Sequence, residues 1–136
     1  MADQPEMGPA SGVTPYLTIG GGRAAEAAEF YNRALGAQEQ FRQPADDGKR
    51  LMHCHLVING ASVMLSDDFS SSGAPAPAGV TLHLQVPDAD IVWNAAMAAG
   101  RCEVTMPLAD QFWGDRYGHF KDPYGHRWSI GGPKKG

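Results

Sequence analysis

Two histidines, His53 and His55, flank Cys54. In an extended strand alternate side chains share a face, so both imidazoles would point one way and Cys54 the other. Paired imidazoles suit metal binding or proton transfer near neutral pH; the plainer reading is a half-exposed strand face that tolerates them. His83 repeats the pattern, with Thr81 and Gln85 two residues to either side. Three polar side chains on one strand face suit a polar cavity wall, which makes His83 a candidate general base alongside His55. An ordinary solvent-facing strand is the competing explanation. Trp113 and Tyr117 lie in or beside a loop with glycine, where rings can roof an apolar ligand while keeping a polar edge, or simply pack a hairpin. Arg116 offers a planar fork for a carboxylate or phosphate, or else one arm of a cross-strand or dimer salt bridge. Its neighbour Asp115 would face the other side of the strand.

The composition narrows the surroundings of these residues. With 136 residues the chain is long enough for one core and short for two independent domains. Its 17 glycines and 10 prolines imply many turns. The formal charge of −4, with no basic cluster beyond Lys134-Lys135, lacks the footprint of nucleic-acid binding. Cys54 and Cys102 show no metal or disulfide spacing and read as free thiols. The absence of a secretory pattern at residues 1–12 and of an apolar run of membrane-spanning length leads us to expect a cytoplasmic protein with no membrane partner.

The positioning elements follow from periodicity. A tail over 1–12, disordered or extended, should lead into a strand over 13–19, and Gly20-Gly21-Gly22 should break it before a helix over 23–35. Ala24, Ala27, Ala28, Tyr31, Ala34 and Leu35 form that helix's apolar face, with Gly36 as its C′ residue. Strands are expected over 37–43, 51–58 and 61–66, the last two joined by the hairpin signal Asn59-Gly60. Residues 68–79, rich in Ser, Ala, Pro and Gly, read as a linker. The pattern then restarts. A strand over 80–86 precedes a helix capped by Asp88 or Asp90, with Ile91, Val92, Ala95 and Ala98 or Ala99 on one side and Gly100 at its end. Strands over 102–106, 116–122 and 126–130 complete the second half, the last two joined by the turn Asp122-Pro123-Tyr124-Gly125. The expected architecture is α+β: one domain over 13–131 of two βαβββ modules, 13–67 and 80–131, whose curved mixed sheets surround a cavity, followed by a tail over 132–136.

Three segments carry a resemblance. They are Pro15-Tyr16-Leu17 leading to Ala28-Glu29-Phe30-Tyr31 and Leu35-Gly36-Ala37; Ala61-Ser62-Val63-Met64-Leu65-Ser66-Asp67; and Phe112-Trp113-Gly114-Asp115-Arg116-Tyr117-Gly118 continuing to Gly125-His126-Arg127-Trp128-Ser129-Ile130. In this order they resemble the vicinal oxygen chelate superfamily of glyoxalase I, fosfomycin- and bleomycin-resistance proteins and extradiol dioxygenases, and within it the PhnB-like subgroup. The resemblance implies a homodimer and a cavity whose central divalent metal is held by His or Glu from the first and last strands of each half. Carried over to this chain, those positions are Tyr16, Met64, Thr81 and Ser129, none a usual ligand for such an ion. His83, two residues beyond Thr81, is the one imidazole near the set, and one imidazole does not make a site.

The expected function is therefore small-molecule binding in a metal-free cavity without a cofactor, lined by Tyr16, Met64, Thr81, His83, Trp113, Arg116, Tyr117 and Ser129. The alternative is an enzyme of lyase, isomerase or dioxygenase type acting on a small oxygenated substrate, with His83 or His55 as base and Arg116 or Tyr117 steadying an oxyanion. Methyl transfer is set aside, since the chain lacks the Gly-rich turn in a parallel βαβ framework.

Overall fold

The computed structural model describes residues 6–135. These form two compact units, divided between Pro75 and Ala76 within the expected linker. Each has one helix and one four-stranded mixed sheet, the tandem βαβββ arrangement of the glyoxalase/bleomycin-resistance fold.

The first unit runs β1 (Tyr16–Ile19), α1 (Ala24–Leu35), β2 (Gln38–Pro44), β3 (Leu51–Ile58) and β4 (Ala61–Asp67), in sheet order β1-β4-β3-β2. Only β1 and β4 are parallel, as a helical crossover between them requires. Asn59 and Gly60, with φ of 51° and 80°, make the two-residue turn that sets Ile58 opposite Ala61. The six residues expected on the apolar face of α1 are all buried, together with Phe30. They meet Leu17, Ile19, Cys54, Leu56, Ile58, Val63 and Leu65, which alternate along the strands and are also buried. Arg23 at the N-cap makes no side-chain cap. Asp67, 2% exposed at the end of β4, replaces it by accepting Ala24 N–H at 3.0 Å and Leu51 N–H at 2.8 Å. One carboxylate thus closes the helix start onto β3.

The second unit runs β5 (Thr81–Gln85), α2 (Ala89–Ala99), β6 (Glu103–Asp110), β7 (Asp115–Lys121) and β8 (Arg127–Pro133), in order β5-β8-β7-β6. Asp88 caps α2 by accepting Ile91 N–H. The expected helix face needs correction. Ala89, Trp93 and Ala96 are buried, whereas Ile91 is 66% exposed and Ala95 and Ala98 are exposed. The i, i+4, i+7 stripe centred on Trp93 buries the largest ring, which packs edge-on to Phe120 at 5.8 Å, and this outweighs the β-branched pair Ile91-Val92. β6 also runs beyond its expected end through Pro107, accommodated by register shifts along its pairing with β7, and β8 continues to Pro133. Asp122, 4% exposed, accepts Tyr124 N–H, His126 N–H and Trp128 Nε1–H at 2.8–3.0 Å and fixes the β7–β8 turn. It serves this unit as Asp67 serves the first.

Of the expected N-terminal tail, residues 1–5 lie outside the described residues, and 6–12 follow turns and bends. Glu6 and Met7 are tied by their carbonyls to β3 rather than extended away from the sheet.

Candidate functional sites on the helix-free sheet faces

Each helix covers one face of its sheet, and alternation directs the polar side chains to the other. In the first unit the helix-free face carries Tyr16 from β1, Phe41 from β2, His53 and His55 from β3, and Ser62 and Met64 from β4, with Tyr16 opposite Met64 and Phe41 and Met64 both opposite His55. The Tyr16 hydroxyl lies 2.8 Å from His53 Nδ1, and His53 Nε2 meets the Met7 carbonyl. His55 is 3% exposed; its Nδ1 lies 3.0 Å from the Glu6 carbonyl and its Nε2 lies 2.8 Å from Ser62 Oγ. A carbonyl only accepts, so His53 carries a proton on Nε2 and His55 on Nδ1, and in the neutral rings the other nitrogens accept from Tyr16 and Ser62. Burial pushes the Tyr16 phenol above its usual range, with a hydrogen bond from Ser66 opposing the shift. On the opposite face Cys54 is sealed under α1, and burial raises its thiol to about 12.

In the second unit the helix-free face is built around His83. Its Nδ1 lies 2.7 Å from Ser129 Oγ on the parallel neighbour β8, and its Nε2 lies 2.8 Å from Gln85 Oε1. Gln85 Nε2 approaches Asp115 Oδ2 at 3.4 Å. The Gln85 carbonyl accepts, so in the neutral ring the Nε2 proton points to it and Nδ1 accepts from Ser129. The His83 ring stacks on Tyr117 at 5.8 Å and 28°. Gly131, opposite Tyr117 on one side and Gln85 on the other in the strand register, makes this possible, since a Cβ there would stand 2.9 Å from the His83 Cε1. Tyr117 continues the ring contacts to Trp113 at 5.5 Å and to His119 at 5.9 Å, and Trp113 meets Phe112 at 5.1 Å. Trp113 is 51% exposed, in contrast to the buried Trp93 and Trp128.

The expected residues thus divide into three groups. Tyr16, Met64 and His55 share the first unit's face, and Thr81, His83, Tyr117 and Ser129 share the second, with Trp113 at its edge. Arg116 stands apart. It occupies the other face of β7, its guanidinium bound to Asp90 on α2 at 2.9 and 3.1 Å and to Asp110 across the strand pair at 3.3 Å. Those carboxylates hold the group its expected role needs to be free, and the Arg116 guanidinium in turn keeps Asp90 below the usual carboxylate range. Gln85 joins the second face, as its place beside His83 in a polar wall implied, and Asp115 and His119 join it without having been singled out as lining residues. Simple i+2 spacing from His83 and Tyr117 is the signal that finds them.

A divalent ion needs three or four converging donors. Among the described residues no three His, Cys, Asp or Glu side chains come together in a way that could hold one. At the family's ligand positions stand a phenol, a thioether and two hydroxyls, and the nearby imidazole nitrogens are engaged by Ser129 and Gln85. This donor set does not fit a resident metal.

Comparison with known proteins agrees with the architecture. An uncharacterised protein of Mycobacterium tuberculosis, Rv0887c, is 45% identical over 129 residues, covering 89% of this chain and 74% of that one. The crystal structure of protein PA1353 from Pseudomonas aeruginosa superposes with a TM-score of 0.75 at 27% identity, covering 93% of this chain and 100% of that one. A PhnB protein from Bacillus cereus shares the fold with a TM-score of 0.72 at 21% identity, covering 90% and 99%. The family model for the glyoxalases matches residues 14–130, nearly the whole of both units. The chain belongs to the Glyoxalase/Bleomycin resistance protein/Dioxygenase superfamily.

Proposed function

We propose that the protein binds a small amphipathic molecule on its helix-free sheet faces, without a metal ion or other cofactor, as a homodimer in the cytoplasm. The observation that carries this reading is the ring platform of the second unit, where Trp113, Tyr117, His83 and His119 meet in succession above Gly131. Such a surface offers a planar apolar group its stacking faces, while Ser129, Gln85 and Asp115 supply a polar edge. The lack of a metal donor set at the family's ligand positions supports the same reading. Dimerisation follows from the family's habit and from the open sheet edges β1, β2, β5 and β6.

The experiment is a fluorescence titration with a library of aromatic carboxylates and phenols. Trp93 and Trp128 are buried, so a saturable change should arise at Trp113 and vanish in Trp113→Phe. Failure of every compound to change the signal, or near-stoichiometric Ni, Zn, Mn or Fe in the purified protein, would overturn the proposal. Sedimentation showing only monomer at micromolar concentration would remove the dimer.

A second reading rests on the 2.7 Å contact between Ser129 Oγ and His83 Nδ1. An imidazole oriented by one partner and hydrogen-bonded to a hydroxyl by its other nitrogen is placed to move a proton. In that case the protein is a lyase-, isomerase- or dioxygenase-type enzyme on a small oxygenated substrate, and His83→Ala retains ligand affinity while turnover is lost.

A further inference from the structure

A surface helix ordinarily turns a charged side to water, and α2 does not. Its buried side is Ala89, Trp93 and Ala96. On the opposite side Ile91, Asn94, Ala95 and Ala98 recur at i, i+3, i+4 and i+7, all exposed, Ile91 to 66%. From Ile91 to Gly100 no residue is charged. In α1 the outer side carries Glu26, Glu29, Asn32 and Arg33, all exposed. A helix apolar on both sides calls for cover on both, and its own sheet covers only the Trp93 side of α2.

The exposed side of α2 is complementary to itself. Laid antiparallel on a second copy, with a two-fold axis between Asn94 and Ala95, Ile91 of each copy faces Ala98 of the other. The larger side chain then meets the smaller one at both ends, and the alanines let the helices approach closely. Asn94, beside the axis in both copies, offers donor and acceptor to its counterpart and opposes slipped registers. Charge follows the same register. The N-terminal end of α2 gathers Asp88, Asp90 and Asp110 around Arg116 and Lys135, three acids to two bases, and stays net acidic. Past the C-terminal end stands Arg101, while Glu103 lies opposite Lys121 in the strand register. Antiparallel pairing brings the basic end of each copy to the acidic end of the other and opposes the helix dipoles, whereas parallel pairing sets like ends together.

We propose that α2 is the surface through which two copies of this chain meet, antiparallel about a two-fold axis between Asn94 and Ala95. This rests on the homodimer reading and names its interface. Assembly then uses the helix side of the second unit's sheet and leaves the ring platform open on the other side.

The test is sedimentation velocity of the full chain at micromolar concentration. Ala95→Arg brings two guanidinium groups together at the axis and should raise the dimer dissociation constant at least about thirtyfold. Glu29→Arg on α1 should leave it unchanged. Arg101→Glu sets like charges together and should weaken the dimer about tenfold at low salt and less at high salt. In a Cys102→Ser background, Ala95→Cys should be joined into a covalent dimer by a short bismaleimide and Glu29→Cys should not. A wild-type dimer that Ala95→Arg leaves intact, or that Glu29→Arg splits equally, overturns this surface while the homodimer reading stands. A wild-type monomer, with α2 left for a different protein, overturns both. If no library compound reaches Trp113 while Ala95→Arg still splits the dimer, the small-molecule reading fails and the surface stands.

Discussion

The two units share an element order and differ in how they use their histidines. In the first, His53 and His55 are engaged by main-chain carbonyls of Glu6 and Met7. In the second, His83 is held by side chains of its own sheet, Ser129 and Gln85, and carries a stack of rings. Identical topology therefore yields one face covered by its own chain and one built as an aromatic platform. The difference arises at single positions. Gly131 admits the His83 ring, and the peptide at residues 6–8 closes on the other face. The units also anchor their turns with different geometry, Asp67 joining a helix start to a strand and Asp122 joining a turn to Trp128.

The comparison can be broken most forcefully at those two carboxylates. Asp67→Ala removes the carboxylate that accepts two buried N–H groups and Asp122→Ala the one that accepts three N–H groups, two of them buried, so each should lower stability by about 2–4 kcal/mol in urea unfolding. A loss below about 1 kcal/mol at either position would show that its unit is held another way. Gly131→Ala comes next. The added methyl collides with the His83 ring and should cost about 1–3 kcal/mol, with a changed environment for Tyr117 in aromatic proton spectra. Were stability and spectra both unchanged, the platform would not depend on the glycine.

Thiol reactivity sharpens the contrast at smaller amplitude. Burial raises Cys54 to about 12 and Cys102 to about 11, and only Cys102 is partly exposed. At pH 8 iodoacetamide should therefore label Cys102 at least about tenfold faster, read by mass spectrometry, from the one-unit gap in thiolate fraction.

The smallest effect lies in the acid limb of stability. Asp90 is held low chiefly by the hydrogen-bonded Arg116 side chain, and Asp47 in the first unit chiefly by the main-chain N–H groups of Arg50 and Lys49. A depressed folded value means the contribution is present above the unfolded carboxylate range and lost as pH falls through the folded one. Arg116→Met should then flatten the acid limb, and Arg50→Met should leave most of it, as followed by melting temperature against pH. Equal slopes for the two variants would remove the distinction.

Much of this arrangement was legible beforehand. The α1 face was read from Ala24, Ala27, Ala28, Tyr31, Ala34 and Leu35 because a small-residue stripe at helical spacing has one way to pack. Asn59-Gly60 marked its turn because positive φ at two successive positions has few other uses. The α2 face was misread, since Ile91, Val92 and the alanines compete with Trp93 and only the contact with Phe120 decides which side turns inward. Arg116 could be seen to prefer an ion pair, but its main partner, Asp90, is 26 residues away on another element.

The chain's periodicities and turn residues determined by themselves that it would fold as two βαβββ halves with polar residues on one sheet face, because alternation and helical spacing are local properties of the backbone. Which groups meet on those faces was decided only by tertiary structure. Strand register brings Ser129 to His83, and chain reversal lays Glu6 and Met7 on His55 and His53. These pairings span 46 to 49 residues and depend on how distant segments of each unit come together, which no local spacing encodes.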